Sequence, residues 1–193
     1  MERSDDAADA ADAERDLVRR IARRDRAAFE TFYHAYARRV HRFAARLLGD
    51  DGLADEVTSD VMVAVWTSAP RFGGRAKPST WVFGIAHHKA LDRLRRKRPD
   101  FVELRVAEPL PDARGGPERQ LIEQSTRGEI DAALATLSPE HRAVLHLAFV
   151  LGYGQAEISD IVGCPLGTVK TRIFHAKRAL RRALPLRFER EIS

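Results

Sequence analysis

QAEISDIVGCPLGTVKTRIFHAKRALRRAL, residues 155–184, has the build of a short helix, a tight turn and a second helix loaded with cations. In its first part Ala156, Ile158, Ile161 and Val162 recur at helical spacing, Gly163 suits the left-handed conformation that ends a helix, and Pro165 discourages continuation. Thr168 is placed to cap the second helix, along which Val169, Ile173, Ala176 and Leu180 form one apolar stripe. Lys170, Thr171, His175 and Arg178 fall on other faces. Between Pro165 and Arg190 there are eight Lys or Arg and one acid, Glu189, so the cations lack the acidic partners that stabilise an ordinary surface helix. A helix-turn-helix with an unbalanced positive face predicts a DNA partner; the competing reading is a basic solvated helix in an all-helical core.

Composition points away from a large active-site cleft. With 193 residues and 44% hydrophobic content, one or two small domains with modest cores are expected. The net charge of +5 understates the asymmetry: acids crowd the first sixteen residues and the segment Asp50 to Asp60, whereas cations crowd Lys89 to Arg98 and the C-terminal helix. Such separation predicts two binding faces of opposite sign, basic ones for nucleic acid and an acidic one for a protein. The lone Cys164 rules out an intramolecular disulfide framework and fits a reducing compartment. The N-terminus is acidic without an apolar core, and no apolar run nears the roughly 20 residues that span a bilayer. A cytoplasmic protein with no membrane insertion is expected.

Four segments and a short tail follow along the chain. Residues 1–16 form an Ala- and Asp-rich acidic tail, expected to be disordered. Residues 17–98 carry apolar residues at helical spacing, among them Leu17, Ile21, Phe32, Tyr36, Val40, Phe43, Val57, Val61 and Val65, and form a first helical domain. Residues 99–117, with four prolines, read as a flexible linker. Helical periodicity returns in residues 118–188, where Ser138 and Pro139 form a cap and a first helical position; 189–193 are a tail. No β-alternation of useful length occurs, so the fold class is all-α, two small helical domains on a flexible linker.

Two features of the first domain carry chemistry. Asp50, Asp51, Asp55, Glu56 and Asp60 lie in a stretch without Lys or Arg, and Val57, Val61, Val65 and Trp66 follow at helical spacing. The stripe packs and leaves the acids exposed, either as a docking face or as a merely solvated one. The segment STWVFGIAHHKALDRLRRKR, residues 79–98, opens with Ser79 and Thr80 as caps, sets Trp81 and Phe83 at its start and ends in cations. Aromatic rings beside cations suit single-stranded nucleic acid, whose bases stack on rings while Lys and Arg follow the backbone; core packing of Trp81 or Phe83 is the alternative.

This order of elements resembles a bacterial sigma factor of the extracytoplasmic-function group of the sigma-70 superfamily, over roughly Phe29 to Leu184. The family's acidic helix is similar to DAEDLVQEVFLRVW, and ADEVTSDVMVAVW supplies Asp55, Glu56, Asp60 and Trp66 in step. RFGG and TWVFGIAHHKALDRLRRKR resemble the family's RFRG and TWLYRIARNLAIDRLRRRR, and LSPEHRAVLHLAFVLGYGQAEISDIVGCPLGTVKTRIFHAKRAL follows its C-terminal block without a gap. His88 stands where the family often has Asn, His87 and His175 where Arg is common, and Gln155 where an aromatic is usual; each histidine exchanges a fixed donor set for a group that titrates near neutral pH.

The resemblance implies a promoter-specificity subunit that binds core RNA polymerase at the largest-subunit clamp and the flap. Asp55, Glu56, Asp60 and Trp66 would dock on the clamp. Phe72, Trp81, His88 and Asp92, with Arg93 and Arg96, would hold the melted minus-ten strand. Thr168, Lys170, Thr171, Arg172, Phe174 and His175 would face the minus-thirty-five element of promoter DNA, with Lys177 and Arg178 nearer its phosphates. An anti-sigma factor, free or membrane-bound, is the expected regulator. No cofactor is expected, and no metal, because the seven histidines form no Cys and His set at ligand spacing. A stand-alone helix-turn-helix regulator would explain residues 155–184 but neither the acidic helix nor the Trp81 block. An enzyme built on Cys164 with His141, His146 or His175 lacks a glycine-rich phosphate loop and an HExxH pattern.

Overall fold

The computed structural model describes residues 2–97, 128, 130 and 132–184, and among them there is no strand. The expected linker 99–117 and the C-terminal residues 185–193 lie outside the described residues. Helix α1 (Glu2–Ala22) is followed by α2 (Arg26–Leu48), α3 (Asp51–Ser68), a short 3-10 turn (Ala69–Arg71) and α4 (Pro78–Lys97). The segment expected as a disordered tail is therefore helical from Glu2. Ala, the strongest helix former, repeats through it, and Asp and Glu near a helix N-terminus oppose the positive end of the macrodipole.

Helix α2 is bounded by local chemistry. The Asp25 carboxylate accepts from the Ala28 N–H at 3.1 Å, and Gly49, at φ +65°, closes the other end by donating to the Ala45 carbonyl. Asp50 then caps α3 through the Leu53 N–H at 3.0 Å. The stripe Phe32, Tyr36, Val40, Phe43 and Leu47 is buried against Val57, Val61 and Val65 of α3 and Val82, Phe83 and Ala86 of α4. At about 1.5–3 kcal/mol per large side chain, this burial is the main term holding the first four helices together.

The second set comprises α5 (Pro139–Leu145), a π-helical turn (His146–Val150), α6 (Gln155–Val162) and α7 (Leu166–Ala183). Ser138 caps α5, with its hydroxyl accepting from the His141 N–H at 3.4 Å, and Pro139 occupies the first position. Gly163, at φ +66°, ends α6 as its sequence position suggests. Two cap assignments are corrected. Helix α7 begins at Leu166 behind Pro165, so Thr168 lies inside its first turn and does not cap it. Likewise α4 begins at Pro78, placing Ser79 and Thr80 within the helix. In both cases proline, with its fixed φ and no N–H to satisfy, sets the start ahead of the hydroxyl residue.

The two sets share one continuous hydrophobic core. Phe83 of α4 meets Tyr153 edge to face with centroids 5.7 Å apart, and Phe43 of α2 meets His146 at the same separation. Gly84 of α4 is where the chains come close, since a Cβ there would lie 3.8 Å from the Ile161 carbonyl of α6. Lys77 pairs with Glu157 at 2.8 Å, and Arg142 donates to the Arg46 carbonyl at 3.3 Å, both across this seam. A smaller cluster of Leu137, Leu145 and Ala176 lies within the second set.

Candidate nucleic-acid interface

The turn after α3 and the start of α4 bring two aromatic rings together. Phe72 packs on Trp81 with centroids 4.8 Å apart at 37°. Beside them is a hollow of about 510 Å³ lined by Ala76, Thr80, Trp81, Gly84, Ile85, His88, Lys89 and Asp160. One turn along α4, His88 donates from Nδ1 to the Gly84 carbonyl at 2.8 Å, which fixes its ring tautomer. A ring, an imidazole and a lysine around one hollow can stack a base, hydrogen-bond its edge and neutralise a phosphate.

The other sequence-predicted residues of this group are not gathered there. Asp92 accepts from Arg95 at 3.3 Å, and Arg96 is exposed. Arg93 reaches back to α3, with Nη1 2.7 Å from Glu56 and Nη2 3.1 Å from Asp60. Asp55 lies 3.2 Å from His41 Nε2. Asp55 and Glu56 are exposed and Asp60 half-buried, and all three are partnered within the chain, because α2 and α4 flank α3 and each presents a basic residue to it. Trp66 packs edge to face on Phe29 at 5.2 Å, and the Arg24 guanidinium lies 5.3 Å over its ring and donates to its carbonyl at 2.8 Å.

On α7 the amphipathic division is clean. Val169, Ile173 and Ala176 are buried, while Lys170, Thr171, Phe174, His175 and Arg178 are exposed, Phe174 at 62%. Arg172 is half-buried, with Nη1 3.7 Å from Cys164 Sγ, and Thr168 is half-buried in the first turn. Lys177 sets its ammonium 5.6 Å from the Phe149 ring centroid. An exposed aromatic among cations on a helix that follows a tight turn can meet both base edges and phosphates.

Four features escape the sequence reading. Asp160 of α6 lines the Trp81 hollow although it comes from the second set. Glu157 serves two partners, accepting from the Gly154 N–H at 3.0 Å and pairing with Lys77, whose hydrogen bond holds its carboxyl below the ordinary value. His87 is 3% exposed and His146 8%, and neither ring nitrogen of His87, nor Nε2 of His146, has a hydrogen-bond partner. Burial pulls both down to about 4, with His88 and Arg172 adding to the effect on His87 and Arg46 to that on His146. The signal for His87 was present: it lies three residues after Gly84 and four after Phe83, on the face of α4 that packs.

Among the described residues no group of three His, Cys, Asp or Glu is arranged to hold a metal ion, and no helix is long and apolar enough to cross a membrane. The model of Sigma-70 region 2 matches residues 32–99, and that of Sigma-70 region 4 matches residues 127–180. The ECF RNA polymerase sigma factor SigL of Mycobacterium tuberculosis is 33% identical over 168 residues, covering 82% of this chain and 89% of that protein. SigW of Bacillus subtilis, another ECF RNA polymerase sigma factor, is 27% identical over 86% of this chain and 94% of its own. Among solved structures, CnrH in complex with the cytosolic domain of CnrY superposes with a TM-score of 0.64 at 21% identity, covering 88% of this chain and 96% of CnrH. The sigma factor RpoE of Bartonella quintana, in complex with the anti-sigma factor NepR, gives 0.62 at 21% identity over 82% of this chain and 97% of its own. At that identity these two likenesses concern the fold.

Proposed function

The chain belongs to the extracytoplasmic-function sigma factors of RNA polymerase, and on that premise we propose that the Trp81 hollow holds the melted minus-ten strand while α7 reads the minus-thirty-five element. The family consists of transcription initiation factors, not catalysts, so the chemistry to explain is recognition. Unstacking a base costs a few kcal/mol, and stacking on an aromatic ring returns about 1–3 kcal/mol per base. Phe72 and Trp81 supply the rings, His88 a polar group for the base edge and Lys89 a cation for the backbone. The gain is complete only for a base whose edge matches, so melting and reading become one event.

On α7, Lys170 and Thr171 lie in the leading turns, where a recognition helix enters the major groove. Lys177 and Arg178 lie further along and fix the register on phosphates. The face of α3 that carries Asp55, Glu56, Asp60 and Trp66 docks on the clamp of core polymerase, whose cations must displace His41 and Arg93. The flap meets the second set. The protein acts in the cytoplasm, where polymerase is, and an anti-sigma factor, free or membrane-bound, restrains it. In support of that restraint, RpoE occurs in complex with the anti-sigma factor NepR, and CnrH in complex with the cytosolic domain of CnrY.

The single observation that carries this reading is the presence in one chain of an aromatic hollow edged by a cation and a recognition helix with an exposed cationic face. The test is size-exclusion chromatography with sigma-free core polymerase. The wild type co-elutes, and the triple variant Asp55→Lys, Glu56→Lys, Asp60→Lys does not. Folded wild type that runs apart from core polymerase overturns the proposal and leaves a stand-alone helix-turn-helix regulator.

A further inference from the structure

The seam between the two helical sets has an unusual composition for a packed interface. Its apolar contacts are Phe83 on Tyr153 and Phe43 on His146, and its close approach is Gly84 against α6. Beside these apolar contacts lie two imidazoles whose burial leaves ring nitrogens without partners. His87 is enclosed from α4 on the same helix face as Gly84, and the charged groups around it are His88 and Arg95 of its own helix, Arg172 of α7 and Glu140 of α5. Only Glu140 favours a proton there. His146 is enclosed against Phe43 and faces Arg46 of α2, and Arg142 and Lys177 line the cavity it borders, so the charged groups that line this cavity among the described residues are positive.

We propose that this seam is a proton-sensitive latch: the two halves close on uncharged His87 and His146, and a proton on either ring drives them apart and withdraws α6, with Asp160, from the edge of the Trp81 hollow. A charged imidazole cannot stay in that seam, because it would lack both solvent and an adequate counter-ion. The ion pair that crosses the seam does not compete in this role. Glu157 is held by Lys77 below its ordinary value and so keeps its charge where histidines titrate.

The sign follows from linkage. Each ring takes a proton near 6.5 when free and near 4 when enclosed, so closure is at full strength above about pH 6.5 and is lost as pH falls toward 4. At about pH 5.5 each histidine lowers the closed-to-open ratio about tenfold, and the two together about a hundredfold.

The experiment is small-angle scattering of the full chain from about pH 7.5 to about pH 5, with far-ultraviolet circular dichroism on the same samples. The wild type expands as pH falls while its helix content holds. The double variant His87→Leu, His146→Leu stays compact throughout, and His87→Arg is already extended at neutral pH. A wild type that does not expand, or a double variant that expands with the wild-type midpoint, overturns the latch. Because a leucine variant can misfold, the imidazole proton resonances of the wild type give a second reading. His87 and His146 titrating well below the ordinary histidine value support the latch, and both titrating at the ordinary value overturn it. No DNA or polymerase enters these measurements, so their outcome is separate from that of the co-elution test.

Discussion

Lys170 and Lys177 carry the same charge on one helix but have different surroundings, and the roles proposed for them differ accordingly. Lys170 is exposed in the second turn of α7, whereas Lys177 is half-buried with its ammonium over the Phe149 ring. Lys177→Ala should weaken binding to every promoter alike and flatten the dependence of log affinity on log salt by about one unit. Lys170→Ala or Thr171→Ala should change base preference at particular positions and cost about 1–3 kcal/mol there, measured by competition between promoter variants. A uniform loss in both cases would invert the assignment. At the hollow, Trp81→Ala should cost about 1–3 kcal/mol on single-stranded DNA and leave duplex binding by α7 unchanged. Arg93 differs from its cationic neighbours because Glu56 and Asp60 already hold it, so its removal should alter the α3 face more than the strand.

Among the elements, the turn between α6 and α7 is the part most dependent on a single residue. Gly163 sits at φ +66°, and Gly163→Ala should cost about 1–2 kcal/mol in urea unfolding, because a Cβ is strained there even though no neighbour crowds it. That turn was legible in the sequence, as were the stripes of α2, α3 and α7, because the helical repeat is local. The helix starts were less legible: Ser79, Thr80 and Thr168 have capping chemistry, but Pro78 and Pro165 precede them and set the boundary. The acidic segment was misread through its composition, since low apolar content argued against docking while its Ala content favoured a helix. The seam was beyond reach, because Gly84, His87 and Tyr153 gain their meaning only from partners far along the chain. His87, noted as a departure from a family pattern, proves to be an interior residue; its spacing from Phe83 and Gly84 marks the packed face of α4 but not the partners that enclose it.

Over the whole molecule, the closed arrangement conflicts with the span of a promoter. A compact chain of this length is about 40 Å across, whereas elements named for positions ten and thirty-five are separated by about 25 base pairs, or about 85 Å of duplex. The halves must part before one molecule can engage both. Gly84 offers a direct handle: Gly84→Ala should keep the closed dimensions, because its Cβ would make an ordinary 3.8 Å contact, whereas Gly84→Phe should extend the molecule at neutral pH, as read by scattering. Lys77→Glu should shift the balance only slightly, since an exposed ion pair is worth about 0–1 kcal/mol. The seam also joins positions 80 and 96 residues apart, Lys77 with Glu157 and Arg46 with Arg142. A ribosome adding about 5–20 residues per second needs some seconds to make the second half after the first has emerged. Each newly made molecule therefore passes through an interval in which α1 to α4 exist and the Trp81 hollow still lacks the acidic edge that Asp160 of α6 later gives it.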